Sequence, residues 1–231
     1  MLLELLSEEI PARMQARAAA DLKRLVTEAL KQARLDFDSA HAFATPRRLA
    51  LVVDGLASRQ PDLKQERRGP RADAPASAIQ GFLGSVGLSL EDCERRETKK
   101  GIFLFAAIEK PGQPTAELLA KMIPDIVAAL DWPKSMRWAD ATLRYVRPLH
   151  QILCMFDGAP VAGRLALGDG RCLDFTNQAR GHRFLNPESF EVADFAEYQV
   201  KLRAAYVILD PAERRDIIEK QADRLAGEAD L

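Results

Sequence analysis

The sequence predicts an α+β protein built of small modules of mostly antiparallel sheet with packed helices. Three observations carry that prediction. Stretches with apolar residues at helical spacing, at 11–33 and 114–130, alternate with short apolar runs of strand length. Neighbouring strand runs are joined by tight turns such as Thr45-Pro46-Arg47-Arg48, Lys99-Lys100-Gly101 and Asp157-Gly158, which favours antiparallel pairing. The 231 residues are 47% hydrophobic and 29% charged, an ordinary globular composition that buries a core without a disulfide or metal. Composition and turn signals divide the chain into modules at 1–60, 61–112 and 113–231.

The first module reads strand, helix, strand, strand. Residues 2–6 are an apolar run ended by Ser7-Glu8-Glu9, consistent with a buried strand. Pro11 opens a helix whose apolar face is Leu22, Leu25, Val26, Ala29, Leu30 and Ala33. Its polar face pairs Arg17 with Asp21 and Arg24 with Glu28 at four-residue spacing, the pattern of a solvated surface. Residues 41–44 and 49–53 are strands around the Pro46 turn.

Residues 58–72 read as a linker, with two prolines, a glycine and five cations against two carboxylates. A helix at 76–86 follows, then an extended run at 92–98, the Lys99-Lys100-Gly101 turn and an apolar strand at 102–108. The uncharged stretch 74–90 carries three glycines and three serines and is a surface helix and turn, not a membrane span.

The third module opens with the amphipathic helix of Leu118, Leu119, Met122, Ile126, Val127 and Leu130. Strands are expected at 136–138, at 143–156 with an interruption at Pro148, and at 161–167 before the turn Gly168-Asp169-Gly170. Trp138 is expected to pack in or beside the core. A strand at 190–192, a helix at 193–204 and a strand at 206–209 lead to Asp210-Pro211-Ala212-Glu213, a capped helix start. That helix reaches Leu231 with no stop signal, as the end of a fragment would.

Lys plus Arg is 33 and Asp plus Glu is 34, so overall charge gives no reason to expect a polyanion; any such role rests on local clusters. Three cysteines, Cys93, Cys154 and Cys172, lie far apart and argue against a disulfide framework and a cysteine zinc site. The N-terminus lacks the basic start and apolar run of a signal peptide, and a reducing cytoplasm is the expected location. There is no phosphate-loop or dinucleotide glycine motif, no His-Glu-x-x-His and no Gly-x-Ser-x-Gly. His41, His150 and His182 are dispersed, so no metal site is expected and no catalytic residue is assigned.

Three basic clusters remain. They are Arg47 and Arg48 at a strand junction; Lys134, Arg137, Arg144 and Arg147 around Trp138 and Tyr145; and Arg180, His182 and Arg183 beside Gly181. Guanidinium forks match phosphate geometry and interleaved aromatics stack on bases. The alternative is that these arginines pin loops through carbonyls and carboxylates. The candidate nucleic-acid-binding residues are Arg47, Arg48, Lys134, Arg137, Arg147, Arg180, His182 and Arg183.

Taken together, several segments resemble one family. They are residues 2–12 (Leu-Leu-Glu-Leu-Leu-Ser-Glu-Glu-Ile-Pro-Ala), Ala44-Thr45-Pro46-Arg47-Arg48-Leu49-Ala50, Arg68-Gly69-Pro70, Lys100-Gly101, Pro133-Lys134-Ser135-Met136-Arg137-Trp138, Tyr145-Val146-Arg147-Pro148 and Gly181-His182-Arg183-Phe184. In this order and spacing they resemble the beta subunit of bacterial glycyl-tRNA synthetase across almost the whole chain. Departures are Tyr145, where the family usually has Phe, and Leu6-Ser7 in place of Gly-Thr. Lys134-Ser135-Met136 has the wrong order for the Lys-Met-Ser-Lys-Ser loop of other synthetases, and no His-x-Gly-His precedes it.

The resemblance implies an alpha–beta heterotetramer that joins glycine to its tRNA with ATP and magnesium. In that family the alpha subunit holds the class II catalytic site, and the longer beta subunit recognises tRNA. The chain would be the N-terminal part, without the anticodon-binding region, and would bind no cofactor itself. Its implied partners are the alpha subunit and glycine tRNA, with no membrane. The implied role is tRNA contact and scaffolding. A purely structural module and an editing-type hydrolytic domain are the alternatives.

Overall fold

The computed structural model describes residues 1–98, 100–168 and 170–229. The chain divides into two compact units, one of residues 1–58 with 114–231 and one of residues 59–113. Segments 1–60 and 113–231, read from composition as separate modules, contribute strands to a single sheet. β1 (Leu2–Ser7) lies between β3 (Arg48–Asp54) and β7 (Leu149–Phe156), antiparallel to both. Pairing across so many residues leaves no trace in local composition.

β2 (Ser39–Thr45) extends this sheet beyond β3, and β10 (Cys172–Thr176) runs parallel to β7 on the other side, edged by β9 (Arg164–Ala166). The short β8 (Ala159–Pro160) closes a hairpin on β7. Helices α1 (Ala12–Gln32) and α3 (Thr115–Ala129) help to build the apolar cluster on one face. On α1 the buried stripe is Met14, Ala18, Leu22, Val26 and Leu30, residues four apart, which meets Leu3 and Leu5 of β1 and Leu49 and Leu51 of β3 in that cluster. The opposite face, with Leu2, Ala50 and Leu153, is covered by Tyr198 and Leu202 of α4 (Phe195–Ala204). Because both faces are covered, all six residues of β1 are buried, including Glu4. β11 (Gln178–Arg180) and β12 (Ser189–Glu191) form a two-stranded ribbon, and α5 (Pro211–Glu228) follows, its Asp210 carboxylate accepting from Ala212 N–H.

The smaller unit is a three-stranded antiparallel sheet in the order β4 (Leu63–Arg71), β6 (Gly101–Lys110), β5 (Cys93–Thr98). Helix α2 (Ala76–Val86) packs Ile79, Phe82 and Leu83 against Leu104 and Ala106. The close approach requires Gly69: a Cβ there would lie 2.5 Å from the Phe82 ring. On β6, Phe103 and Phe105 are half-buried under the guanidinium groups of Arg68 and Arg96.

Three strand expectations change. The 58–72 segment is no linker: most of it is β4, an edge strand. An edge strand pairs on one side only and keeps its charges in water, so its composition mimics a loop. Residues 136–138 make only an isolated bridge, Met136 to Tyr145, and regular pairing of β7 starts at Leu149, just after Pro148. Residues 206–209 form a turn and an irregular connection, with Tyr206 at φ +61°, because Ala205 and Tyr206 close the end of α4. Trp138 packs half-buried against the core, as expected. The Lys99-Lys100-Gly101 and Gly168-Asp169-Gly170 turns fall partly on Lys99 and Asp169, outside the described residues, as do Asp230 and Leu231 at the chain end.

Candidate functional site

One end of the large sheet gathers the Pro46 turn, the exit of β1 and the loop after β11. Backbone bonds fix the first two: Ser7 N–H donates to Arg47 O at 2.8 Å, and Ile10 N–H to Pro46 O at 2.6 Å. The third is held by Gly181. A Cβ at that position would lie 2.5 Å from Ala205 Cβ and 2.9 Å from Ala205 O, so only glycine fits. His182 then braces the turn, its Nδ1 accepting from the N–H groups of Phe184 (3.3 Å) and Leu185 (3.2 Å).

Beneath this end lies a buried polar triad. Glu4 and Tyr198 are 0% exposed and Arg48 is 3% exposed. Arg48 Nη1 sits 3.5 Å from Glu4 Oε2, Tyr198 O–H donates to the same oxygen, and Arg48 Nη2 donates to Arg180 O at 2.8 Å. Burial, reinforced by the Glu4 charge, holds the Tyr198 hydroxyl well above its ordinary pKa, so it remains a donor. Glu4 Oε1 has no hydrogen-bond partner among the described residues.

Above the triad, carboxylates hold the cations. Glu8 accepts from Arg183 Nη1 at 3.3 Å, lies 3.6 Å from Arg47 Nη2, and is 2.8 Å from His150 Nε2. The His150 hydrogen bond, aided by the nearby guanidinium charges, pulls the Glu8 pKa below its ordinary value. Arg183 Nη2 also donates to Glu9, and Arg47 Nε donates to Ser7 O at 3.2 Å.

These elements line a cleft of about 330 Å³, with Arg47, Arg48, His182, Phe184, Tyr206 and Arg214 on its walls. Arg214 is a strut: it donates to the carbonyls of Ile208, Leu209 and Ala44, and burial lowers its pKa. The carboxylate of Glu9 accepts from Arg183 Nη2, and the imidazole Nδ1 of His182 accepts from the two backbone N–H groups of its own turn. Phe184 stands 79% exposed at the rim.

The sequence candidates therefore separate. Arg47, Arg48, Arg180, His182 and Arg183 come together at this end of the sheet. Arg147 sits beside Pro148, whose carbonyl accepts from Glu8 N–H, and its own Nη1 donates to Val146 O at 2.8 Å. Lys134 lines another cavity, with Arg13 and Arg17, and Arg137 is exposed next to the Met136 bridge. Among the described residues, the side chains of Lys134, Arg137 and Arg180 make no ion pair. Sequence reasoning missed Glu4, Glu8, His150, Tyr198 and Arg214 as members of the constellation. The one available signal was a glutamate inside an otherwise apolar strand run.

No group of three or more His, Cys, Asp or Glu residues able to hold a metal occurs among the described residues. Cys154 is buried, which pushes its thiol pKa up to about 12. No helix of the described residues is long and apolar enough to cross a membrane.

The structure thus defines an α+β module whose arginine-rich surface is braced from within by carboxylates. The chain belongs to the glycyl-tRNA synthetase beta subunit family, whose model matches residues 1–231. It is 49% identical over 229 residues to the glycine–tRNA ligase beta subunit of Paracoccus denitrificans, covering 98% of this chain and 33% of that protein. Against the same subunit of Cereibacter sphaeroides (strain ATCC 17023) it is 50% identical over 225 residues, 96% of this chain and 32% of the relative. Against that of Rhodospirillum centenum it is 45% identical over 250 residues, 100% of this chain and 35% of the relative. The chain spans about a third of the length of these relatives and corresponds to their N-terminal part.

Proposed function

We propose that this chain is the N-terminal part of a glycine–tRNA ligase beta subunit that acts in the cytoplasm. It contributes tRNA contact and subunit scaffolding to ATP-dependent attachment of glycine to tRNA. ATP and magnesium serve the assembled enzyme, whose alpha subunit carries the amino-acid chemistry. The observation that carries the reading is the family match along the whole chain, at about half identity to subunits of that name.

The division of the basic residues supports two tasks. Arg47, Arg48, Arg183 and Arg214 are spent on carboxylates and carbonyls and act as braces. Arg137 and Arg180 keep their charge available at the surface for phosphate oxygens. The test is binding of labelled glycine tRNA to the full-length subunit assembled with its alpha partner, as a function of salt. In Arg137→Ala/Arg180→Ala the slope of log affinity against log salt should fall by about 0.7–0.9 for each phosphate left without its cation. Arg183→Ala should leave that slope unchanged. A double variant with wild-type affinity at every salt concentration removes these residues from the RNA surface and leaves scaffolding alone.

A further inference from the structure

Helix α5 is 18 residues long, and none of its described residues is buried. Among the described residues, its polar contacts to the rest of the chain lie at its start. Asp210 caps it, Glu213 pairs with Arg203, and Arg214 reaches the carbonyls of Ile208, Leu209 and Ala44. No described residue of α5 joins an apolar cluster of the molecule.

The helix is nevertheless two-sided. Ile218, Ala222 and Leu225, with Ala229 at the cap, recur at steps of four, three and four, which sets them in one stripe. All four are exposed, Ile218 by 66% and Leu225 by 56%. Asp216, Lys220, Asp223 and Arg224 fall on the other side of the helix. There Lys220 lies 2.8 Å from Asp216, and Arg224 lies 3.6 Å from Glu228. That side is a solvated face with its charges paired, whereas the apolar stripe stands in water. Helices in proteins take most of their stability from packing such a stripe.

Exposed apolar surface concentrates toward this end of the chain. Nine large apolar side chains are exposed among the described residues. Six of them, Phe184, Leu185, Val200, Tyr206, Ile218 and Leu225, lie after residue 183. Single exposed leucines are ordinary, but a concentration of this kind marks a surface that is covered in the assembled protein. The chain corresponds to the N-terminal third of its relatives, so in a full-length subunit about two thirds of the polypeptide follows α5. Consecutive elements are usually adjacent in space, and helices joined by a short loop pack antiparallel. A stripe with steps of three and four is the seam such a pair uses, and alanines at two of its four positions let the partner helix come close.

We propose that the stripe of Ile218, Ala222, Leu225 and Ala229 is one half of a helix–helix seam. Its occupant is an amphipathic helix from the polypeptide that follows α5 in the full-length subunit. α5 thereby docks this N-terminal module onto the rest of its own subunit. The inference rests on the reading of the chain as the N-terminal part of a longer beta subunit and does not depend on tRNA contact.

The test uses the full-length subunit without its alpha partner. Single variants Ile218→Cys, Leu225→Cys, Lys220→Cys and Asp223→Cys are labelled with iodoacetamide, and each site is read by peptide mass. Labelling at 218 and 225 should be roughly tenfold slower than at 220 and 223, because a covered thiol is inert. Hydrogen exchange of the unsubstituted subunit is the second measurement. The amides of α5 should be protected like those of α1, not exchange as a fraying terminus does. Equal labelling on the two sides of the helix, or rapid exchange along α5, overturns the proposal. Slow labelling that appears only with the alpha subunit present, or is lost on dilution, also overturns it. Those results assign the stripe to the alpha subunit or to a second copy. A cellular protein no longer than these 231 residues removes the longer-subunit reading itself, and the inference with it.

Discussion

Replacing Arg48 by Met removes the only cation, among the described residues, within ion-pairing distance of Glu4, a carboxylate that has no solvent exposure. Glu4 would be left with the Tyr198 hydroxyl as its sole partner, and Arg180 O would lose its 2.8 Å donor. Breaking a buried pair from one side costs about 3–5 kcal/mol, because the remaining charge stays desolvated. For a unit of this size that lowers the melting temperature by about 6–20 °C. The companion variant Glu4→Leu/Arg48→Met removes both charges at once and should recover most of the loss, since an apolar replacement of a buried pair is often neutral or better. Urea unfolding of the wild type, the single variant and the double variant at neutral pH gives the comparison directly. If Arg48→Met unfolds within about 1 kcal/mol of the wild type, the Glu4–Arg48 pair does not buttress the sheet. A double variant no more stable than the single one would show that the cost lies in lost shape, not in an orphaned charge.

Other outcomes follow from the same geometry. Glu8 titrates in the folded chain below its ordinary value of 4.5, so its contribution is present above that pH and is lost as pH falls through the lowered pKa. The stability gap between wild type and Glu8→Gln should therefore narrow as the medium is acidified below pH 4.5, measured by denaturant unfolding across the acid range. Gly181→Ala forces a Cβ to within 2.5 Å of Ala205 Cβ and should cost about 1–3 kcal/mol in the same assay; an unchanged midpoint would mean that the loop relaxes freely. Trp132→Ala should cost about 3–5 kcal/mol, and the half-buried Trp138→Ala clearly less, with equal losses contradicting the burial difference.

Much of the fold is legible locally. The apolar stripes of α1 and α3, the β2–β3 turn at Pro46 and the Asp210 cap of α5 are short-range patterns, and each appears where spacing and turn chemistry place it. The α+β class follows from them. β4 escaped because an edge strand in water has no apolar alternation to read, and the 206–209 run misled because Val207 and Leu209 are apolar for packing under α4, not for pairing.

By itself the sequence determined the helices, the tight turns, the places where arginines cluster and the resemblance that the family match bears out. Only the tertiary structure decided what those arginines do. Arg47, Arg48 and Arg183 look alike in sequence to Arg137 and Arg180. Their partners Glu4, Glu8 and Glu9 lie tens of residues or more away along the chain and meet them only when β1 inserts between β3 and β7. Whether a guanidinium is spent or available depends on what desolvates and faces it. That is a property of long-range packing, which a linear pattern of charges does not contain.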